Sequence, residues 1–311
     1  MATETNSPRF TRELPLGQQL VDEQAPFLLR PLGDDPDDKR NWVLKAIEKT
    51  GQSVEESLHT WVFGFSLEPG LLWNAMVEEK GEDEARAVCA ETWGRLPEEV
   101  RQAARQILTF ASDEPPYGLS AELDVPQILE RTGRSAEDEL VFWNRAFTAH
   151  DHQMWQALEL RYGAREGLIV YSRVWEQIAL TFLEAVKQAI GLSEIRTTED
   201  LAKMNRAYWE AIGSEVEDVE TTVDRHVAII KTCPFWDNMI DMYGKDAANN
   251  MHQKTIGATS ANYYQAIMKA LGLWDEFYAT QDQYRCLGDG QCRMVYVRRS
   301  AMAEESPAGE Q

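Results

Sequence analysis

Between residues 53 and 95 apolar side chains recur every three or four positions, with Glu, Asp and Lys on the intervening faces, the spacing that turns one side of a helix toward a core. The run reads as a short helix begun by a capping box, Ser53 with Glu56, then two longer amphipathic helices split at Gly81. The same pattern returns further along. "EKTGQSVEESLHTW" aligns without a gap on "ERTGRSAEDELVFW", and Trp61, Phe65, Trp73, Gly81 and Trp93 recur in one register as Trp143, Phe147, Trp155, Gly163 and Trp175. Two copies of one helical unit are expected, over residues 41–118 and 119–196, the second again opened by a capping pair, Ser135 with Asp138.

After the polar link "GLSEIRTTEDL" the period changes. "SEVEDVETTVDRHVAIIKTC" alternates every second residue, is rich in β-branched side chains and has a turn at "TVDR", so it predicts a hairpin. "CPFWDNMIDMYG" and "AANNMHQKTIGATSANYYQAIMKALG" return to helical spacing and stop at Gly244 and Gly272. "QDQYRCLGDGQCRMVYVRR" is two alternating strands around a Gly-Asp-Gly turn. The expected fold class is α+β: an N-terminal all-helical tandem repeat, then a smaller α+β domain over 197–299 with a cysteine-containing terminal hairpin. Residues 1–40, with "LGDDPDDKR", and 300–311 have the composition of mobile tails.

Composition narrows the partners. Hydrophobic residues make up 43% of the 311, enough for packed cores, while a net charge of −21 with no run of Lys or Arg repels phosphate backbones and anionic lipid. No nucleic-acid or membrane partner is expected; a small-molecule substrate or ligand is, with a homodimer left open. No secretion signal opens the chain and no apolar run reaches the roughly 20 residues that cross a bilayer, so a cytoplasmic location is expected. No phosphate-binding glycine loop or dinucleotide fingerprint is present, and no nucleotide cofactor is expected.

Three of the four cysteines, Cys233, Cys286 and Cys292, fall in the last third. Cys286 and Cys292 flank the terminal turn, and a neighbouring first strand would add Cys233, a thiol cluster suited to zinc or iron. A fourth ligand would come from His226, His252, Asp282 or water. The alternative is that all three are small buried apolar side chains. "VAIIKTCPFW", two helices and "YRCLGDGQCRMVYV" resemble the C-terminal part of the L-2-amino-thiazoline-4-carboxylate hydrolase family and, more remotely, four-vinyl-reductase ligand-binding domains, over about residues 200–298. The hydrolase resemblance implies ring opening at a carbon–nitrogen bond of a small heterocyclic acid. The second resemblance implies a zinc on Cys233, Cys286 and Cys292, with an acidic residue three positions before Cys286; that place is Gln283 here, with Asp282 beside it.

"FTAHDHQMW" holds two of the five histidines. In the repeat register His150, Asp151 and His152 replace Glu68, Pro69 and Gly70, and a proline at a first-turn position predicts that the triplet opens a helix, where imidazoles are held neutral. Residues two apart point to nearly opposite sides, so one regular helix cannot aim both histidines at one metal. Capping is the plainer use of such a triplet. Tyr171, Ser172 and Arg173 stand where the first copy has Cys89, Ala90 and Glu91, and are expected to line the same cleft. The tryptophans and Met154 read as core.

Two functions follow. In one, the chain is a hydrolytic enzyme acting on a carbon–nitrogen bond of a small cyclic or heterocyclic acid. The nucleophile is the Cys233 thiolate, its pKa lowered by Lys231 or Arg285, or water on a cysteine-bound metal. His152, His150 or His226 moves protons, and Asp151, Tyr171, Arg173, Trp236 and His252 hold the substrate. In the other, the chain binds a small aromatic ligand without reaction and the cysteines hold a structural zinc.

Overall fold

The structure is a computed structural model and describes residues 41–110, 119–120 and 124–305; the expected N-terminal tail and residues 306–311 lie outside it. Helix α1 (Asn41–Thr50) precedes α2 (Val54–Lys80), which Ser53 and Glu56 open with the expected capping box. Then come α3 (Glu82–Gly94), α4 (Glu98–Ile107), the short ladder β1 (Thr109–Phe110) with β2 (Leu119–Ser120), and α5 (Val125–Thr132). Next is the longest element, α6 (Ala136–Ala189), capped by Ser135.

The short helix expected after each capping box does not end before Pro69 or before the histidine triplet. Both lie inside continuous helices. A mid-helix proline forfeits one amide hydrogen bond, and here the turn around it is held by burial of Phe65, Glu68, Pro69 and Leu72 against the rest of the core. The breaks come at glycine instead. Gly81 (φ 88°, ψ 167°), Gly163 (φ 77°, ψ 164°) and Gly244 (φ 80°, ψ 159°) share one conformation that L side chains avoid, and after each the helix resumes. Gly244 thus ends one helical segment of Pro234–Ile256, where the sequence expects a stop, and a second segment follows directly.

Contacts between α2 and α6 come in exchanged pairs. Trp61 meets Phe147 edge-on at 5.6 Å and Phe65 meets Trp143 edge-on at 5.1 Å. Lys80 pairs with Glu166 at 3.1 Å, while Tyr162 donates to Glu84.

Helix α7 (Thr198–Ala211) leads to β3 (Val216–Thr221) and β4 (Arg225–Ile230); then come α8 (Pro234–Ile256), a π-helical segment (Gly257–Asn262) and α9 (Tyr263–Ala270). Strands β5 (Phe277–Gln283) and β6 (Cys292–Arg298) follow, then α10 (Arg299–Glu305), a helix where the C-terminal tail was expected to begin. The sheet is antiparallel, in the order β3-β4-β6-β5, as both predicted hairpins require. Its inner face packs with α7, α9 and the end of α6 through Leu201, Ala228, Met268, Phe277 and Met294. A second core, in which α8 lies against α2 and α6, is built on Trp61, Phe65, Trp143, Trp155 and Trp236. The architecture is α+β, largely helical with one small sheet toward the C-terminus. No helix among the described residues is long and apolar enough to cross a membrane.

Candidate functional site

A cavity of about 160 Å³ opens where α6, α7, α8, the π-helical segment and the β5–β6 end meet. Its wall is mainly aromatic: Trp61, Phe147, Trp175, Tyr208, Phe235 and Tyr263 all line it. Phe235 is the hub of that wall, packed edge-on against Trp61 at 5.5 Å, Phe147 at 5.3 Å and Trp175 at 5.5 Å. The π-helical turn contributes Thr259 and Ser260, polar groups that the wider turn brings to the wall.

The cysteines converge at one end. Ile230 pairs with Cys292 across β4 and β6, and three residues further on the chain enters α8 through Cys233 at its N-cap. Cys286, in the 3-10 turn Arg285–Leu287 between β5 and β6, completes the set, and all three line the cavity. The backbone N–H of Arg285 donates to Cys292 Sγ at 3.3 Å, and the Arg285 guanidinium, also on the wall, reaches Asp237 at 2.9 Å.

Burial pushes the Cys233 thiol well up, with Cys292 adding to it, and pushes Cys286 up to about 12. Cys292 is raised by the same cause. The expected help from Lys231 is absent, since that side chain bonds to Glu217 at 2.6 Å on the sheet surface. Asp282 does not join the thiols either. It faces the opposite side of β5 and pairs with Arg293 at 2.7 Å, and Gln281 takes the place on the cavity wall. Gln283 bonds to Gln291. Among the described residues no three His, Cys, Asp or Glu side chains stand in a metal-holding group. Thiols suit zinc or iron in chemistry, but Cys233, Cys286 and Cys292 do not stand as a metal-holding group here.

Asp151 lines the cavity as well. The triplet lies in the middle of α6, where the helix is buried all round, so its three side chains point in different directions. Asp151 faces the cavity: Tyr171 Oη donates to both its oxygens at 2.9 Å and the Trp175 indole N–H donates at 3.1 Å. Glu68 lies beside it, and His150 Nδ1 is 2.7 Å from Glu68 Oε2. His152 points away, stacked on Tyr243 at 4.0 Å with Met251 Sδ 3.4 Å from Nδ1.

The helix-start position expected for the triplet is thus corrected, and the reason for neutral imidazoles changes with it. Desolvation lowers His150 to about 4 against the opposing pull of Asp151, and lowers His152 to about 3. Burial also holds the Asp151 carboxyl well above its usual range, reinforced by Glu68, and raises Glu68. Two buried carboxyls side by side keep at least one proton between them.

Of the remaining candidates, Trp236 and His252 line the cavity; they meet edge-on at 5.0 Å, and His252 is lowered to about 4 by burial. Arg173 does not: it is half-exposed and pairs with Glu78 and Glu79. His226 sits at the far end of β4, opposite Tyr296, with its Nδ1 3.1 Å from both Thr221 Oγ1 and the Glu220 carbonyl oxygen. His150, His152, His226, Arg173 and Asp282 are therefore not wall residues, whereas Cys233, Cys286, Cys292, Asp151, Tyr171, Trp236 and His252 are.

Glu68 was read only as part of a helix start, and Trp175 only as core. The repeat register held a signal for Glu68, because it aligns with His150, the residue it touches. Trp61, a wall residue only 3% exposed, has its indole N–H buried away from the cavity with no acceptor among the described residues. Compared with protein-family models, curated proteins and solved structures, the chain matches none.

Proposed function

We propose that the chain is a small-molecule enzyme that takes a one-ring organic acid into the aromatic cavity and hydrolyses a carbon–nitrogen bond in it. What supports this reading is convergence: the carboxyl residue Asp151 and the residues Cys233, Cys286, Cys292 and Arg285 all line one apolar, ring-sized cavity. An apolar cavity of about 150 Å³ accommodates benzene, so the space fits one ring with a small substituent. In this reading Asp151, kept protonated by burial, gives its proton to the departing nitrogen, and Arg285 holds the substrate carboxylate. Cys233 is the nucleophile, at a helix N-terminus whose dipole favours the thiolate once substrate is bound.

The test is incubation at pH 7 with five- and six-membered cyclic amides and amidines bearing a carboxylate, followed by mass spectrometry for a product one water heavier. At least one is expected to open. Asp151→Asn and Cys233→Ser are each expected to lower kcat/KM by about a hundredfold or more in folded protein. Opening that is indifferent to both substitutions contradicts the proposal.

A second reading, a non-catalytic binding protein for a small aromatic ligand with a cysteine-held structural zinc, has one observation in its favour. Burial raises both the thiols and the carboxyls, so the cavity carries little nucleophilic charge at neutral pH. Tight binding of ring compounds with none opened favours it. We infer further that α2–α3 and α6 are two copies of one helical unit, which the exchanged contacts and the shared glycine breaks support. A cytoplasmic setting accords with the four free cysteines.

A further inference from the structure

We propose that the cavity selects an organic cation, a ring carrying a protonated amine or amidine, and that the cation displaces a proton held between Asp151 and Glu68. This rests on the reading of the cavity as a small-molecule site and is an alternative to Asp151 acting as the acid in ring opening, because a bound cation leaves the acid pair with one proton fewer. The geometry has three parts. Aromatic rings form the wall, and ring faces attract ammonium and amidinium groups. Asp151 offers the wall its carboxyl, fixed by Tyr171 and Trp175 so that it needs no reordering to meet a charge. Behind it Glu68, wholly buried, supplies a second acid that pairs with no cationic side chain.

The groups around Asp151 leave this role to the ligand. From α2 comes Glu68, from its own helix His150, from the later limb of α6 Tyr171 and Trp175, and from α8 Tyr243, with His252 elsewhere on the wall. None is a fixed cation: the two histidines are held neutral by burial and the two tyrosines are pushed up by it. The nearest guanidinium on the wall, Arg285, is at the cysteine end and bonded to Asp237. Two crowded carboxyls without a counter-charge retain a proton, and a bound ammonium supplies the missing charge. Proton release then follows by charge balance: the ammonium enters, one O–H bond of the acid pair breaks, and that proton leaves to buffer.

The experiment is isothermal calorimetry on the full chain at pH 7 with benzylammonium and two uncharged ring-matched probes, benzyl alcohol and toluene, in two buffers of different ionisation enthalpy. Benzylammonium is expected to bind at least tenfold tighter than benzyl alcohol and to release close to one proton per molecule bound. Both neutral probes should release none. In Asp151→Asn, shown folded by its circular dichroism and thermal transition, the preference should fall to within about threefold while benzyl alcohol still binds. Benzyl alcohol binding as tightly as benzylammonium, or benzylammonium binding without proton release, overturns the inference and leaves the cavity reading standing. Binding of none of the three overturns both.

Discussion

Asp151 is the residue on which the site turns, and what surrounds it is a matter of helix geometry. One step along α6 rotates a side chain by about 100°, so consecutive residues of a helix buried on every side point in different directions, although His150 and Asp151 both reach Glu68. His150 therefore meets Glu68, Asp151 meets the cavity and His152 meets Tyr243. The buried histidines also have a measurable consequence. His152 is lowered to about 3 from an unfolded value near 6.5, so the unfolded chain binds the proton first; its share of stability is complete above pH 6.5 and is lost as pH falls toward the folded value. Replacing it by a ring that cannot titrate, His152→Phe, should flatten the rise of unfolding free energy between pH 4 and 6.5 by about 1.4 kcal/mol per pH unit relative to wild type, read from urea melts across that range. The raised carboxyls of Glu68 and Asp151 run the other way, favouring the fold at low pH and costing stability as pH rises. Because both are present in each protein, the difference between variant and wild type isolates the imidazole. An unchanged slope would mean that His152 is hydrated.

At the scale of elements, the three glycine breaks decide where the long helices turn. Their backbone lies in a region closed to L side chains, although a Cβ at Gly81, Gly163 or Gly244 would meet nothing within 4 Å. The penalty of Gly163→Ala or Gly244→Ala is therefore a backbone penalty, expected at about 1–3 kcal/mol by chemical denaturation, with the fold retained. Gly167 is the contrast: its φ is ordinary, but an added Cβ would stand 3.1 Å from the backbone carbon of Leu158, so Gly167→Ala should cost stability through the close packing of the two limbs of α6.

These elements also show what the pattern of residues could carry. Hairpins β3–β4 and β5–β6 were legible because alternation, β-branching and turn residues agree there. Helix α7 was passed over as a polar link, although Thr197 and Asp200 form a capping box that marks its start. Pro69 misled for a tertiary reason, since a proline that ends an isolated helix is tolerated when the turn around it is buried. The cysteines and Asp151 could be singled out one by one. That they line one cavity depends on α8 lying against α6, which no local pattern encodes, and so Arg173, His226 and Asp282, which the sequence offers as site residues, fall off the wall.

For the molecule as a whole, the account joins two cores through one cavity. Cys286 packs into the helical core and Cys292 into the sheet core, yet both reach the cavity wall. Deep thiols with raised pKa values are slow nucleophiles. In native protein at pH 8, Cys233, Cys286 and Cys292 should react with a disulfide reagent at least tenfold more slowly than free cysteine and recover full reactivity in denaturant. Fast native labelling of Cys233 would show that its thiolate is stabilised by something other than the groups described. A bound ion would show itself separately, as zinc or iron in near-stoichiometric amount in protein purified without a metal-binding tag, and its removal by a chelator should lower the unfolding midpoint.

The central claim is that the cavity between Asp151 and the cysteines is where this protein meets a small molecule. Ile178 lies on that wall, buried in α6, and Ile178→Trp fills the space from a scaffold position without touching Asp151 or the cysteines. The direct measurement is the unfolding midpoint of wild type and of this variant against increasing benzylammonium. Wild type should rise with ligand, by the equivalent of about 2.7 kcal/mol at a hundredfold excess over Kd, while the folded variant stays flat. Equal rises in both proteins would put the ligand elsewhere and contradict the account.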